Sequence, residues 1–288
     1  MSWVSLLPEG SQWMRALKRS SLLVGRSHLC EEPSSIKHLP VCTRPGAEPT
    51  GWEKYVNPLP PDFGAISMLR PAGVLVAFSE IPADFSEGEL IRLFQAAVGY
   101  SIRVFSLRAE DWASLEKMVY RLGEEVGALR QAQRWFREVQ KTKESMKGVI
   151  ASTHSQVGIA ILQPVYPLIQ VGGWACILGQ WAGVEVVFKP GPLTWEVLLA
   201  QDPEVIVISL PGMRLGQVGE VLSKWVRLPQ VQSLKAFRQK RIYAFTGVSG
   251  LFYPSPFLAH TIEAIYELAY KPNYRYNRHF GKLWASLL

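Results

Sequence analysis

Short apolar runs cut off by proline recur along this chain, and the pattern starts afresh after one long helical stretch. Val4 to Leu7 is stopped by Pro8, and Ile159 to Leu162 is stopped by Pro164. Runs of this length suit strands buried on both faces of a parallel sheet. A chain that alternates such strands with helices folds as an α/β protein, and one that does so twice has material for two similar lobes.

In the first half, strands are predicted over Val4 to Leu7, Leu22 to Gly25, Val74 to Phe78 and Ile102 to Leu107. Ser11 is read as the N-cap of a helix carrying Trp13, Met14 and Leu17. Residues 26–63 are rich in Pro, Gly, Ser and charge, and read as loops. Glu87 to Val98 reads as a helix ended by Gly99. A helix from Asp111 to Val126 places Leu115, Met118, Leu122 and Val126 on one face. After Gly127, a helical stretch to Lys147 would span about 30 Å.

In the second half, strands are predicted at Ile159 to Leu162, Val205 to Ser209 and Arg241 to Phe245. Helices are predicted at Ala175 to Ala182, Val218 to Trp225 and His260 to Ala269. One stretch repeats residue by residue. Leu69-Arg70-Pro71 leads into Val74, and Gln201-Asp202-Pro203 leads into Val205. Proline stops each helix because it cannot donate the next hydrogen bond. The expected organisation is an N-terminal lobe over 1–127, a linking helix over 128–150 and a C-terminal lobe over 151–288.

Composition narrows the function. The chain of 288 residues carries a formal net charge of +7, with its basic residues spread out rather than gathered. No RNA-binding, zinc-finger or helix-turn-helix pattern accompanies them, so nucleic acid is not an expected partner. No apolar run approaches the roughly 20 residues of a membrane span. No signal peptide is read at the N-terminus, so the expected location is cytoplasmic, or periplasmic if an export signal is missing from this sequence. A monomer is expected. Cys30, Cys42 and Cys176 do not make a disulfide framework. Cys30, His38 and Cys42 match no zinc spacing, so no metal ligands are assigned.

Open α/β sheets take ligands at the carboxyl ends of their strands. The loops to watch are therefore Pro8 to Ser11, Ser27 to Pro33, Ser79 to Pro82, Gln163 to Trp174, Pro211 to Arg214 and Gly247 to Pro256. Pro8 and Glu9 open the first of these. Trp174 follows two glycines and is either a ligand-facing indole or a core residue. Phe252 and Tyr253 have the same two readings. His28 either approaches a ligand or caps local backbone. Arg44 either grips an anionic ligand group or forms a surface ion pair. Pro211 and Met213 should line the cleft.

Several segments together resemble a known family. They are VSLLPEGSQWMRAL (Val4–Leu17), LVGRSHLCEEP (Leu23–Pro33) and LPVCTRP (Leu39–Pro45) in the first half. In the second they are PLIQVGGW (Pro167–Trp174), TWEVLLAQDPEVIVISLPGM (Thr194–Met213) and LKAFRQKRIYAFTG (Leu234–Gly247). Nearly the whole chain resembles the cobalamin-type substrate-binding proteins of ABC importers. The resemblance implies two Rossmann-like lobes joined by a single long helix, the helical-backbone periplasmic-binding-protein fold. It implies a corrinoid, haem or iron–siderophore ligand in the inter-lobe cleft, with the GRSH and TRP segments favouring a corrinoid such as cobalamin. No cofactor is required. The family presents one glutamate per lobe to its permease. Glu196, seven residues before Pro203, matches in the second lobe, whereas Gly64 stands seven before Pro71 in the first. That places docking to an ABC permease in question and leaves open a cytoplasmic relative of the importer component. For Glu196 the plainer reading is a solvated acid in the first turn of a helix.

An enzyme is not expected. No GxGxxG after a strand, P-loop or GxSxG elbow is present. His154 has no visible nucleophile partner. A tetrapyrrole enzyme resembling a chelatase is the alternative, for which His28 with Glu80 is the pairing the sequence offers.

Overall fold

The computed structural model describes every residue except 32, 79–80, 82–84, 152–154, 166, 249 and 272–276. It divides into two compact units. The first comprises Met1–Phe136 with Tyr253–Pro256, and the second Arg137–Phe252 with Phe257–Leu288.

In the first unit, β1 (Trp3–Ser5) leads into α1 (Pro8–Ala16), followed by β2 (Leu23–Arg26), α2 (Glu53–Val56) and α3 (Phe63–Leu69). Then come β3 (Gly73–Val76), α4 (Glu87–Val98), β4 (Arg103–Ser106) and α5 (Trp112–Glu125). All four strands are parallel, in the order β2-β1-β3-β4. The order reverses between β1 and β3, and that is where open α/β sheets bind ligands. Every residue of β1 and β3 is buried; β3 is apolar throughout, and the buried Ser5 of β1 donates its hydroxyl to the Leu7 carbonyl. In the edge strand β4, Arg103 is exposed and Phe105 is buried.

Local chemistry fixes most helix ends. Ser86 and Glu89 form a capping box at the start of α4, and Gly99 ends it at φ 80°. Asp111 caps α5 through the amide of Ser114. The first helix departs from expectation. Pro8, which stops the apolar run, is also the first residue of α1, where its missing N–H costs nothing. Ser11 therefore lies inside the helix, its hydroxyl donating to the Pro8 carbonyl at 2.8 Å.

The helix α6 (Leu129–Ala151) carries the chain from the first unit into the second. At its start, the Phe136 ring lies 4.4 Å from Trp112. Near its end, Ile150 fills the space where a side chain on Gly183 would stand. In the second unit follow β5 (Gly158–Gln163), β6 (Leu168–Gln170), α7 (Trp174–Trp181), β7 (Glu185–Val186), β8 (Gly191–Leu193) and α8 (Trp195–Gln201). Then come β9 (Val205–Ile208), α9 (Leu215–Trp225), α10 (Pro229–Gln232), α11 (Lys235–Arg238), β10 (Ile242–Phe245), α12 (Leu258–Tyr270) and β11 (Trp284–Ser286). The sheet order is β11-β10-β9-β5-β6-β8, with β7 beside β5. β10, β9 and β5 run parallel, whereas β11, β6 and β8 are each antiparallel to the strand beside them. The architecture is thus α/β with two sheets. Among the described residues no helix is long and apolar enough to cross a membrane.

The internal repeat is exact in its geometry. Asp62 caps α3 by accepting from Ala65, and Thr194 caps α8 by accepting from Val197. Both helices span seven residues, and both end on a left-handed residue, Arg70 at φ 44° and Asp202 at φ 43°. Each is followed at once by proline and then by a fully buried strand.

Candidate functional site

The switch point of the first sheet lies at the turn from β1 into α1. Gly10 lets the helix approach the sheet, since a Cβ there would sit 2.3 Å from Ser5 Oγ. Pro8 and Glu9 are both buried in the first turn of α1. Glu9 is 3% exposed, and burial pushes its carboxyl up to about 7. A charged carboxylate gains from a helix N-terminus, but here desolvation outweighs that gain. The acid is thus poised to hold or release a proton near neutrality. Tyr253 belongs to the same unit. Its hydroxyl is pushed up to about 12 by burial and by the charge of Glu9.

The segment bearing Tyr253 is tied down by two indoles. Trp13 Nε1 donates to the Pro254 carbonyl at 2.9 Å, and Trp135 Nε1 donates to that of Pro256 at 2.9 Å. The two rings meet edge to face at 4.5 Å. Asn57, fully buried, joins the carboxyl ends of β1 and β3. Its amide donates to Leu6 and Leu59, and its carbonyl accepts from Ala77 at 3.4 Å. Sequence reading placed Asn57 in a loop and missed this brace. Its partners Leu6 and Ala77 lie 51 and 20 residues away, so no local signal marked it.

His28 follows β2, and both its backbone N–H and its Nδ1 meet Thr43 Oγ1, at 2.9 and 2.8 Å. Burial and the nearby Arg26 charge hold its pKa below the ordinary histidine value, which favours neutral imidazole. Arg44 pairs with Glu53 at 2.5 Å, with its side chain 43% exposed. Glu80, the acid paired with His28 in the chelatase reading, lies outside the described residues, as do His154 and most of the loop from Ser79 to Pro82.

In the second unit, Trp174 opens α7 and is 3% exposed, its ring 6.1 Å from Trp181. The preceding glycines have internal reasons. Gly173 takes φ 55°, and a Cβ on Gly172 would lie 2.5 Å from Pro190. Pro211 is exposed, and Met213 is half-buried against the core. Their loop, at the carboxyl end of β9, is pinned to the loop after β10. The Gly247 amide donates to the Met213 carbonyl at 2.7 Å, and a Cβ on Gly247 would overlap the Leu210 carbonyl. Phe252 is half-buried. Glu196 is exposed in the first turn of α8. Backbone hydrogen bonding and the Thr194 hydroxyl hold its carboxyl below the usual range. Gly64 occupies the equivalent place in α3, while Asp62 is engaged as the cap.

A further constellation went unread in the sequence. His260 and Glu263, one turn apart on α12, meet His279 from the C-terminal segment, with one ligand atom from each within 4.8 Å of the others. The two histidines lie far apart in sequence and fit no spacing rule.

Several solved structures share the fold. A periplasmic heme binding protein from Pseudomonas aeruginosa superposes with a TM-score of 0.72 at 20% identity, covering 94% of this chain and 93% of that one. Staphylococcus aureus IsdE complexed with heme gives 0.70 at 17%, over 94% and 99%. The periplasmic vitamin B12 binding protein BtuF of Vibrio cholerae gives 0.65 at 15%, over 93% and 96%. No family model and no curated protein matches the sequence. The chain therefore has the helical-backbone fold of the substrate-binding proteins of ABC importers.

Proposed function

We propose that this chain is a binding protein for a large metal-chelate ring of the tetrapyrrole class, a corrinoid first and haem second, acting as the substrate-binding component of an ABC importer or as a relative of one. The observation that carries this reading is the extent of the fold likeness, which takes in 93–94% of this chain and 93–99% of the three solved structures described above. Those proteins are described as binding heme or vitamin B12. The geometry of the first unit supports a ligand at its strand-tip loops, where Glu9 and Tyr253 stand by the switch point of the sheet. A protonated Glu9 donates a hydrogen bond to an amide or carboxylate of the ring's periphery, and either ligand carries such groups. The sequence segments around His28 and Arg44 favour the corrinoid. The heme-binding description of two of the three neighbours supports haem as the second reading.

The test is a titration of purified protein with cobalamin, haem and a ferric siderophore, followed by absorbance and heat. Stoichiometric binding of one ring, recovered chemically unchanged, is the expected result. Failure to bind any of the three removes the proposal, and chemical turnover of the ring replaces it with the enzyme reading.

A further inference from the structure

We propose that His260, Glu263 and His279 form a binding site for a late first-row divalent metal ion, with Zn²⁺ as the probe, which clamps the C-terminal segment onto α12. Imidazole nitrogens and a carboxylate oxygen are the donors such ions prefer over Mg²⁺ or Ca²⁺. His279 Nε2 lies 2.8 Å from Glu263 Oε2, and His260 Nδ1 lies 3.7 Å from the same oxygen. Metal–ligand bonds of about 2.0–2.2 Å in a tetrahedral site set donors roughly 3.3–3.5 Å apart. The two separations to Glu263 bracket that range, and all three donors lie within 4.8 Å of one another, so modest side-chain rotations would complete the site.

His260 Nδ1 is buried and has no hydrogen-bond partner. An orphaned buried nitrogen of this kind calls for an explanation, and an unfilled ligand position supplies one. The remaining ligands are held in place. His279 is 4% exposed, and Glu267 accepts from the backbone amides of Arg278 and His279 and from Trp284 Nε1. One side of the site stays open, since the His260 and Glu263 side chains are 45% and 32% exposed. Water would fill the fourth position. Arg278 Nη1, 3.6 Å from Glu263 Oε2, is the competing cation. Its side chain is 67% exposed and free to swing outward as the metal enters.

Untagged full-length protein, first dialysed against a chelator, is titrated with Zn²⁺ in a calorimeter, and its melting temperature is followed with and without the ion. One Zn²⁺ per chain, binding at about micromolar concentration or tighter, is expected together with a raised melting temperature. His260→Ala and Glu263→Gln should each weaken binding at least about tenfold. His260→Ala should fold as the parent does, because its side chain is 45% exposed and its Nδ1 makes no hydrogen bond. Co²⁺ in place of Zn²⁺ should give visible absorption that disappears in His260→Ala. Absence of Zn²⁺ binding, equal affinity in His260→Ala, or Mg²⁺ binding as tightly as Zn²⁺ would each overturn the proposal. None of these results depends on whether a tetrapyrrole binds.

Discussion

Glu9 is the side chain whose behaviour departs furthest from its ordinary chemistry. Its folded-state pKa of about 7 lies above the 4.5 of an exposed glutamate. The folded chain therefore holds this proton more tightly than the unfolded chain does. Stability from this residue is complete below about pH 4.5 and is lost as pH rises through about 7, by about 3 kcal/mol in all. Glu9→Gln keeps the shape and cannot ionise. The variant should match the parent near pH 4 and exceed it by about 3 kcal/mol at pH 8 in urea unfolding. Identical pH profiles for the two proteins would show that Glu9 is not desolvated as described. Glu196 shows the opposite case, an exposed acid at a helix start whose carboxyl stays charged. Both are glutamates in first helical turns; burial raises the one, and the Thr194 hydroxyl with backbone hydrogen bonding lowers the other.

At the scale of elements, α3 and α8 are built alike, with equivalent caps, equivalent left-handed ends and a proline after each. They differ at their second residue, glycine in α3 and glutamate in α8. Gly64 has ordinary helical φ, and a Cβ there would meet only Asp62 Oδ1 at 3.4 Å. Gly64→Glu should therefore fold. It should gain about 0.5–1 kcal/mol from lower unfolded-state entropy and the helix dipole, less the repulsion from Asp62. If α8 is a docking element, Glu196→Ala lowers capture of a permease while leaving ligand affinity unchanged, and Gly64→Glu raises that capture. A drop in ligand affinity in Glu196→Ala would remove the docking role. Trp174 makes a different point about elements. Its indole is part of how α7 packs, so loss of binding in a truncation there would carry a stability component as well.

At the scale of the molecule, the first unit is discontinuous in sequence. It takes back Tyr253–Pro256, whose carbonyls satisfy the indole N–H groups of Trp13 and Trp135. A buried donor left without a partner costs about 1–3 kcal/mol. A fragment of residues 1–151 should therefore unfold at lower urea concentration than the full chain and bind a hydrophobic dye, although it contains every strand of its own sheet. A fragment with a sharp unfolding transition and no dye binding would show that the returning segment is dispensable.

The sequence by itself determined the features governed by neighbours along the chain. Pro8 and Pro164, the apolar runs around them, the Ser86 and Asp111 caps, Gly99, and the Arg70-Pro71 and Asp202-Pro203 turns each act within a few residues of themselves. For that reason the α/β alternation, the repeat and the long α6 were all readable. Tertiary structure alone decided what depends on partners distant in sequence. The short strands β6, β7, β8 and β11 carry too few residues to show a period and exist only through pairing with their neighbours. Asn57 acquires its role from Leu6 and Ala77, Glu9 its proton affinity from burial, and His260 its companion His279 from a segment beyond the end of its own helix. Hydrogen bonding and desolvation act through space, so those properties appear only once the chain has brought the groups together.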